Sequence, residues 1–323
     1  AVVRMYIGFG ERRSARKVFD EISKRDLVQW NVMMDGYVKL GSEGEALILF
    51  KEMLVEGNKP DVFCVTTALK ACASSGAISQ GKWIHEYLKK EKPFQMDVFV
   101  GTALVDMYAK CGYIEIAEKM FDEMAERNVF TWAAMIGGYA THGQAWEAIH
   151  CFEKMQEVGV PPDGVVLLAM LTACTHAGLL EEGQALLTKM QREFGIALRH
   201  EHYSCLVDLL CRARRLEDAL VVINAMPMKP LASVWSAFLS GCRARGNTEL
   251  AEIAFAGLLK LAEGDKAEEE AALVQISNVY LSAGRSGDAY RIRRLIGEKR
   301  LKKTVAGCSV IEVDGITSHF VSG

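Results

Sequence analysis

Apolar residues along this chain recur at helical spacing, in stretches of about 10 to 14 residues separated by short turns that contain glycine. Between residues 27 and 61, Trp30, Met33, Met34 and Tyr37 share one helical face. After the polar break "KLGSEGE", Ala46, Leu47, Phe50 and Met53 form a second stripe. Each stripe predicts an amphipathic helix. Two short helices cannot bury both stripes against each other alone, whereas stacked copies of the pair can. Only at the C-terminal end does the pattern change: residues 309–320 alternate around Asp314-Gly315, which predicts a β-hairpin.

The copies are visible on a shift of 102 residues. "DLVQWNVMMDGYVKLGSEGEALILFKEMLVEGNKPD" (26–61) falls on "NVFTWAAMIGGYATHGQAWEAIHCFEKMQEVGVPPD" (128–163), and "TALVDMYAKCG" (102–112) falls on "SCLVDLLCRAR" (204–214). The first block divides into units of 35, 36 and 31 residues, 27–61, 62–97 and 98–128, and the next into 129–163, 164–199 and about 200–231. In this register residue 1 already lies inside a helix, so residues 1–26 read as a partial unit. The expected fold is all-α, an α-solenoid of helix-turn-helix repeats over 1–231. A helical extension follows over 232–303, and a short terminal segment, 304–323, holds the hairpin.

The repeat also disposes of a near-match to a phosphate-binding loop. "GAISQGKW" has two glycines five apart and Lys82, but Trp83 stands where a Ser or Thr would hold magnesium. The same glycine spacing recurs in "GLLEEGQ" without lysine. Gly76 and Gly178 therefore read as helix ends that need positive φ. Gly81 and Gly183 read as positions where a missing Cβ lets helices approach.

Composition narrows the chemistry. A net charge of −3 offers no general basic field for nucleic acid, though it does not count against a reader that works through a few side chains. The longest apolar run, 165–171, is too short to cross a membrane. Nine cysteines contain no Cys-x-x-Cys and no paired spacing, which argues against zinc or a disulfide framework. No cofactor is implied, and no nucleophile–base or metal constellation suggests an enzyme.

The unit pattern, "WN…MM-x-GY…EA…F-x-x-M…G-x-x-PD", resembles a pentatricopeptide repeat, and lengths of 35, 36 and 31 in rotation resemble the P, L and S repeats of plant organelle proteins. "HEHYSCLVDLLCRARRLEDA" (200–219) resembles the last S repeat of that class. "SVWSAFLSGCRARGNTELAE" (233–252) and "LVQISNVYLSAGRSGDAYRIRRL" (273–295) resemble its C-terminal extension motifs. The resemblance implies sequence-specific binding of single-stranded RNA, one base per repeat. It further implies a site-recognition factor for C-to-U editing in a mitochondrion or chloroplast, with small editing-factor proteins at the L repeats. Longer relatives carry a zinc deaminase, which needs His-x-Glu and Cys-x-x-Cys. Neither occurs here, so a deaminase-bearing partner, or a further domain, is expected to supply the chemistry.

Carried over by the resemblance, the fifth residue of each unit meets a base and the last residue touches the base or braces the fifth. The pairs are Asn31 with Asp61, Thr66 with Asp97, Thr102 with Asn128, Ala133 with Asp163, Leu168 with Arg199, and Ser204 with Leu231. Asn plus Asp suits uracil. Short Thr66 and Thr102 leave room for purines, with Asp97 accepting from guanine and Asn128 both donating and accepting for adenine. The first three units then read U, G and A, and the last two pairs read no base. A lone Thr or Asn at a helix start is otherwise an N-cap. Val28, Phe63, Phe99, Phe130 and Val165, second in successive units, suit either base stacking or packing between units. In the basic stretch 285–303, Arg291, Arg294 and Lys302 suit phosphates, or simply a solvated helix face. The alternatives to editing are RNA stabilisation or processing, or a protein-binding scaffold.

Overall fold

The computed structural model describes residues 2–90, 97–298, 308–313 and 316–321. They form two compact units. The first contains α1 (Val2–Gly8), α2 (Arg12–Asp20), α3 (Leu27–Lys39), α4 (Glu43–Val55), α5 (Val62–Ser75), α6 (Ile78–Lys90), α7 (Val98–Lys110), α8 (Ile114–Glu123) and α9 (Val129–Thr141). The second contains α10 (Ala145–Glu157), α11 (Gly164–Ala177), α12 (Leu180–Phe194), α13 (His200–Arg212), α14 (Leu216–Asn224), α15 (Ala232–Arg245), α16 (Thr248–Leu261), α17 (Lys266–Ser282) and α18 (Ser286–Glu298). The strands β1 (Cys308–Val313) and β2 (Ile316–Val321) pair antiparallel, with Val313 opposite Ile316. They flank Asp314-Gly315, which lies outside the described residues.

Within each unit the expected solenoid logic holds. First helices pack side by side, α3 on α5, α5 on α7 and α7 on α9 in one unit, and α11 on α13, α13 on α15 and α15 on α17 in the other. Each second helix packs against the first helix that follows it, as α4 does on α5 and α12 on α13. Trp30, Met33 and Met34 from α3 and Leu49, Phe50 and Met53 from α4 are fully buried, so the two stripes meet as the periodicity required. The extension uses the same device, since α15–α16 and α17–α18 are further hairpins built on a core that includes Val234, Phe238 and Ile276.

The glycines behave as their spacing suggested. Gly76 and Gly178 close α5 and α11 in the left-handed conformation, at φ 68° and 71°. A Cβ on Gly81 would stand 2.5 Å from Met107 Sδ, and one on Gly183 would stand 2.6 Å from Leu209 Cδ2. Met107 and Leu209 are themselves 102 residues apart. Lys82 lies over the Tyr113 ring, 4.2 Å from its centroid, not in a phosphate loop.

An arginine clamp, unread in the sequence, joins the 98–128 unit to the 129–163 unit after it. Arg127 donates from Nε to Phe121 O at 2.7 Å and from Nη2 to Asp122 O at 2.9 Å, closing the C-terminal end of α8. Its guanidinium lies over Phe121, which meets Trp132 edge-on at 4.9 Å. Arg25, Phe19 and Trp30 repeat the arrangement at the end of α2, with Phe19 and Trp30 5.0 Å apart. The signal was available: Arg25 and Arg127 coincide on the 102-residue shift.

Two outcomes follow from this packing. Gly81→Val should destabilise by about 1–3 kcal/mol through overpacking, while Lys82→Ala should cost no more than about 1 kcal/mol, the worth of an exposed cation–π contact. Gly241→Ala should cost more than Gly81→Ala, because the new Cβ meets the Cβ and Sγ of Cys211, which cannot swing aside as the Met107 tail can. Urea melts of the four variants check this. The second outcome concerns His85, buried on α6 with Nδ1 2.8 Å from the Tyr108 hydroxyl. Burial, and secondarily Lys89, lowers its imidazole pKa. The unfolded chain therefore takes up a proton near pH 6.5 that the native state refuses, and stability should fall as pH drops below about 6.5. Urea melts at about pH 7.5 and 5.5 should show a smaller difference in His85→Leu than in the wild type.

Candidate nucleic-acid interface

The last residue of each unit turns out to be the N-cap of the next first helix. An α-helix leaves its first backbone N–H groups without partners, and a short side-chain oxygen at the N-cap satisfies one or two of them. Asp61 Oδ1 accepts from Cys64 N at 2.8 Å, and Asp97 Oδ1 from Val100 N at 2.8 Å. Asn128 Oδ1 accepts from Phe130 N and Thr131 N at 3.0 and 3.1 Å. Asp163 Oδ1 accepts from Val165 N and Val166 N at 2.9 and 3.0 Å. Asp26, last in the partial unit, caps α3 in a reciprocal box with Gln29. The two remaining positions break the pattern. At Arg199 it is the backbone N–H that is held, by His202 Nδ1 at 3.0 Å, and Leu231 caps α15 with no side-chain bond.

The fifth residues lie one turn into the first helices, and they differ in what they meet. Asn31 donates from Nδ2 to Asp61 Oδ1 at 3.3 Å, so this pair is joined directly. Its own Oδ1 is buried and has no hydrogen-bond partner among the described residues. Exchanging the two amide atoms would set oxygen against carboxylate, so the amide orientation follows from the Asp61 charge. Thr66 instead bonds back to Phe63 O at 3.2 Å, and no bond joins it to Asp97 among the described residues. Thr102 also bonds back within its helix, to Val98 O at 2.6 Å, and its hydroxyl is 2.7 Å from that of Thr131 on α9. Thr131 in turn lies 3.2 Å from Asn128 Oδ1. Thr102 and Asn128 are thus linked through a third residue that the pairing scheme does not name. The Asn-x-x-Thr spacing of an N-cap and its third helical residue was its sequence signal.

Later units offer less. Ala133 is buried at 8 % exposure and has no polar group, which leaves Asp163 alone in that pair. Leu168 is half-buried on α11, and a Cβ on Gly164 would stand 3.1 Å from Arg199 Nη2, so that guanidinium lies near the start of the same helix. Ser204 donates to Ser233 O at 3.4 Å, and Leu231 is half exposed.

The second residues are largely exposed. In the first unit Val28, Phe63, Phe99 and Phe130 stand at the start of four adjacent first helices, each between 59 and 71 % exposed. In the second unit Val165 is 47 % exposed, and the corresponding positions after it are Glu201 and Ser233. Four large apolar side chains in a row, left uncovered beside polar cap positions, form a surface suited to flat apolar ligands.

The basic helix α18 is less open than its composition suggested. Arg291 bonds to Asp288, which Arg285 also holds at 2.6 Å, while Arg285 reaches Glu252 as well. The two arginines, Arg285 first, hold the Asp288 carboxyl below its usual pKa. Arg291 would have to exchange a carboxylate for a phosphate. Arg294 is exposed, and Lys302 lies outside the described residues. Among the described residues no group of three or more His, Cys, Asp or Glu side chains could hold a metal, and no helix is long and apolar enough to cross a membrane. Burial pushes the thiols of Cys64, Cys211 and Cys242 up to about 12, so they behave as small apolar side chains.

Comparison with known proteins bears on the same residues. Residues 25–74 and 127–176 match the PPR repeat family, residues 102–129, 165–193 and 201–231 match the PPR repeat, and residues 245–312 match the E motif. A pentatricopeptide repeat-containing protein of Arabidopsis thaliana is 55 % identical over 323 residues, covering 100 % of this chain and 64 % of that protein. Another from the same plant, described as chloroplastic/mitochondrial, is 38 % identical over 330 residues, covering 100 % of this chain and 51 % of its own length. The chain therefore spans only about half to two thirds of these relatives. Among solved structures, the pentatricopeptide repeat protein PPR10 in complex with an 18-nt psaJ RNA element superposes with a TM-score of 0.67 at 16 % identity, over 91 % of this chain and 43 % of PPR10. Repeat pattern, relatives and fold agree, and the chain belongs to the pentatricopeptide repeat family, with an E motif at its C-terminal end.

Proposed function

We propose that this chain binds single-stranded RNA and reads it one base per repeat. We further propose that it acts as the site-recognition factor for C-to-U editing in a mitochondrion or chloroplast, within the P, L and S class. The observation that carries the reading is the exposed row Val28, Phe63, Phe99 and Phe130, each beside a capping Asp or Asn and one turn from a fifth residue. Bases stacked between these side chains would contribute about 1–3 kcal/mol each, while the polar pairs examine their edges. PPR10, captured with its RNA element, supports the binding, and organelle names among the relatives support the location. The E motif supports an editing role. The deaminase is then brought by a partner or by a further domain, and small editing-factor proteins sit at the L repeats, where Trp83 and Tyr87 stack on the exposed side of α6.

Chemistry supports U, G and A for units 27–61, 62–97 and 98–128. Asn31 and Asp61, joined by a hydrogen bond, form the polar pair that suits uracil. Asp97 keeps its second oxygen for the N–H groups of guanine. Asn128 has its oxygen bound to helix N–H groups, so its amino group faces a base acceptor such as adenine N1. Binding to short RNAs and to duplex DNA, with salt varied, tests the reading. Tight binding to duplex DNA, or none to any RNA, would overturn it.

Asn128→Asp gives the sharper test. Aspartate caps a helix as well as asparagine does, so melting should hardly change. The outward donor, however, becomes an acceptor. Preference at that one RNA position should move from A toward G by about 1–3 kcal/mol, the size of a good base contact. The position facing Asn31 and Asp61 should not move, because a solenoid couples mainly nearest neighbours. A uniform loss over all RNAs would assign Asn128 to the fold alone.

A further inference from the structure

Ser42 stands at the N-cap position of α4, yet its side chain holds none of the helix N–H groups. Its Oγ instead accepts from Arg12 Nη1 of α2 at 2.5 Å, and no acceptor takes the hydroxyl proton among the described residues. The contact lies on a cavity of about 1080 Å³ between α2 and the turn that joins α3 to α4. We propose that Ser42 is a phosphorylation site, whose phosphate is received by Arg12 and Arg13 and ties α2 to the start of α4; the proposal does not depend on base reading.

The charges around Ser42 suit a covalently held phosphate better than a free anion. Arg12, Arg13, Arg16 and Lys17 line the cavity, but Glu11, Asp20, Glu21 and Glu45 line it too, so the charges balance. Arg16 is already committed to Asp20 and to Glu52 of α4, each at 2.9 Å. The side chains of Arg13 and Lys17 hold no carboxylate among the described residues, and that of Arg12 reaches only the Ser42 hydroxyl. A phosphate on serine carries a charge of about −1.5 to −2 at pH 7 and three strong acceptor oxygens. Attached at Ser42, it meets a guanidinium already in position for a charge-assisted bond, and Arg13 lines the same cavity to supply a second. Free inorganic phosphate has no such anchor.

The second copy of this junction lacks both halves of the device. On the 102-residue shift Ser42 falls on Gln144, while Arg12, Arg13 and Arg16 fall on Ile114, Glu115 and Glu118. The residue that would carry the phosphate and the cations that would receive it are exchanged together. Packing does not demand the arginines, since both copies keep the same buried positions, Ala15 and Phe19 in α2 and Ala117 and Phe121 in α8.

The sequence around Ser42 also selects a class of enzyme. Glu43 and Glu45 follow it, and of all the serines and threonines in the chain only Ser42 has a carboxylate at both the first and the third position after it. That pattern suits a serine/threonine kinase with a basic substrate groove. Ser42 is half-buried, and Gly41 and Gly44 on either side are exposed, which leaves the segment open to such a groove. In the step, Ser42 Oγ attacks the γ-phosphorus of a nucleoside triphosphate. The new O–P bond forms as the bond to the β-phosphate breaks, the nucleoside diphosphate leaves, and the hydroxyl proton passes to the kinase's catalytic aspartate.

The experiment treats the full 323-residue chain with γ-labelled ATP and a recombinant kinase selective for acidic residues after serine. Mass spectrometry maps the label, and amide hydrogen exchange is followed over α2. The proteins are wild type, Ser42→Ala and the double variant Arg12→Gln/Arg13→Gln, whose two arginines are exposed. Ser42 should take the label, and Ser42→Ala should lose it from that peptide. Exchange across α2 should slow by roughly tenfold in the phosphorylated wild type, the factor expected of one charge-assisted contact. The double variant should be labelled at Ser42 without slowing, and inorganic phosphate in place of kinase and ATP should slow none of the proteins. Absence of label on Ser42 would overturn the proposal. Label on Ser42 with unchanged exchange, or equal slowing in the double variant, would overturn it as well. The same slowing by inorganic phosphate would reduce the cavity to a plain anion site and sink the proposal.

Discussion

The N-terminus of each first helix sets the terms for everything around it. Its leading N–H groups must be satisfied where one unit passes into the next. Asp26, Asp61, Asp97, Asn128 and Asp163 do so from the same position in successive units. A cap engages one side of the side chain and leaves the other side facing the neighbouring first helix. Aspartate capping through one oxygen keeps a second acceptor. Asparagine capping through its oxygen keeps a donor. The choice between the two residues is therefore nearly neutral for the helix and decisive for anything that meets its outer side.

That arrangement holds only if adjacent first helices stay in register, and close packing provides this. Gly81 and Gly183 let second helices approach Met107 and Leu209 on the following first helices, where any side chain would collide. Arg25 and Arg127 close the ends of α2 and α8 while stacking on the Phe–Trp pairs at the next junction. The result brings Thr102 and Thr131 within hydrogen-bond reach across two helices. It also keeps the Asn31 amide against Asp61. These contacts are short-ranged, so a change in one unit is felt mainly by the next.

The degradation of the pattern along the chain has the same origin. Where Ala133, Leu168 or Leu231 occupies a paired position there is no polar group to orient. Where Glu201 and Ser233 replace the apolar second residue there is no surface for stacking. These hairpins keep their cores, as Val207, Leu210 and Phe238 show, because the core depends on the buried stripes and not on the outward positions.

Much of this was legible without coordinates. Helical hairpins, their stacking, the turn glycines and the terminal strands follow from periodicity and repeat length, because those features arise between residues close in the chain. The 102-residue shift located the paired positions for the same reason: repeated local structure demands repeated local sequence. Contacts between residues about 30 apart were another matter. Whether Phe63, Phe99 and Phe130 pack against a neighbour or face solvent depends on how one helix leans on the next, and an apolar side chain reads the same in either case. That Thr131 bridges Thr102 and Asn128, that Arg291 already holds Asp288, and that Arg127 closes α8 were settled only once the helices were in place. A hydrogen bond needs two groups within about 3 Å in the right direction, and spacing along the chain does not determine that distance between separate helices.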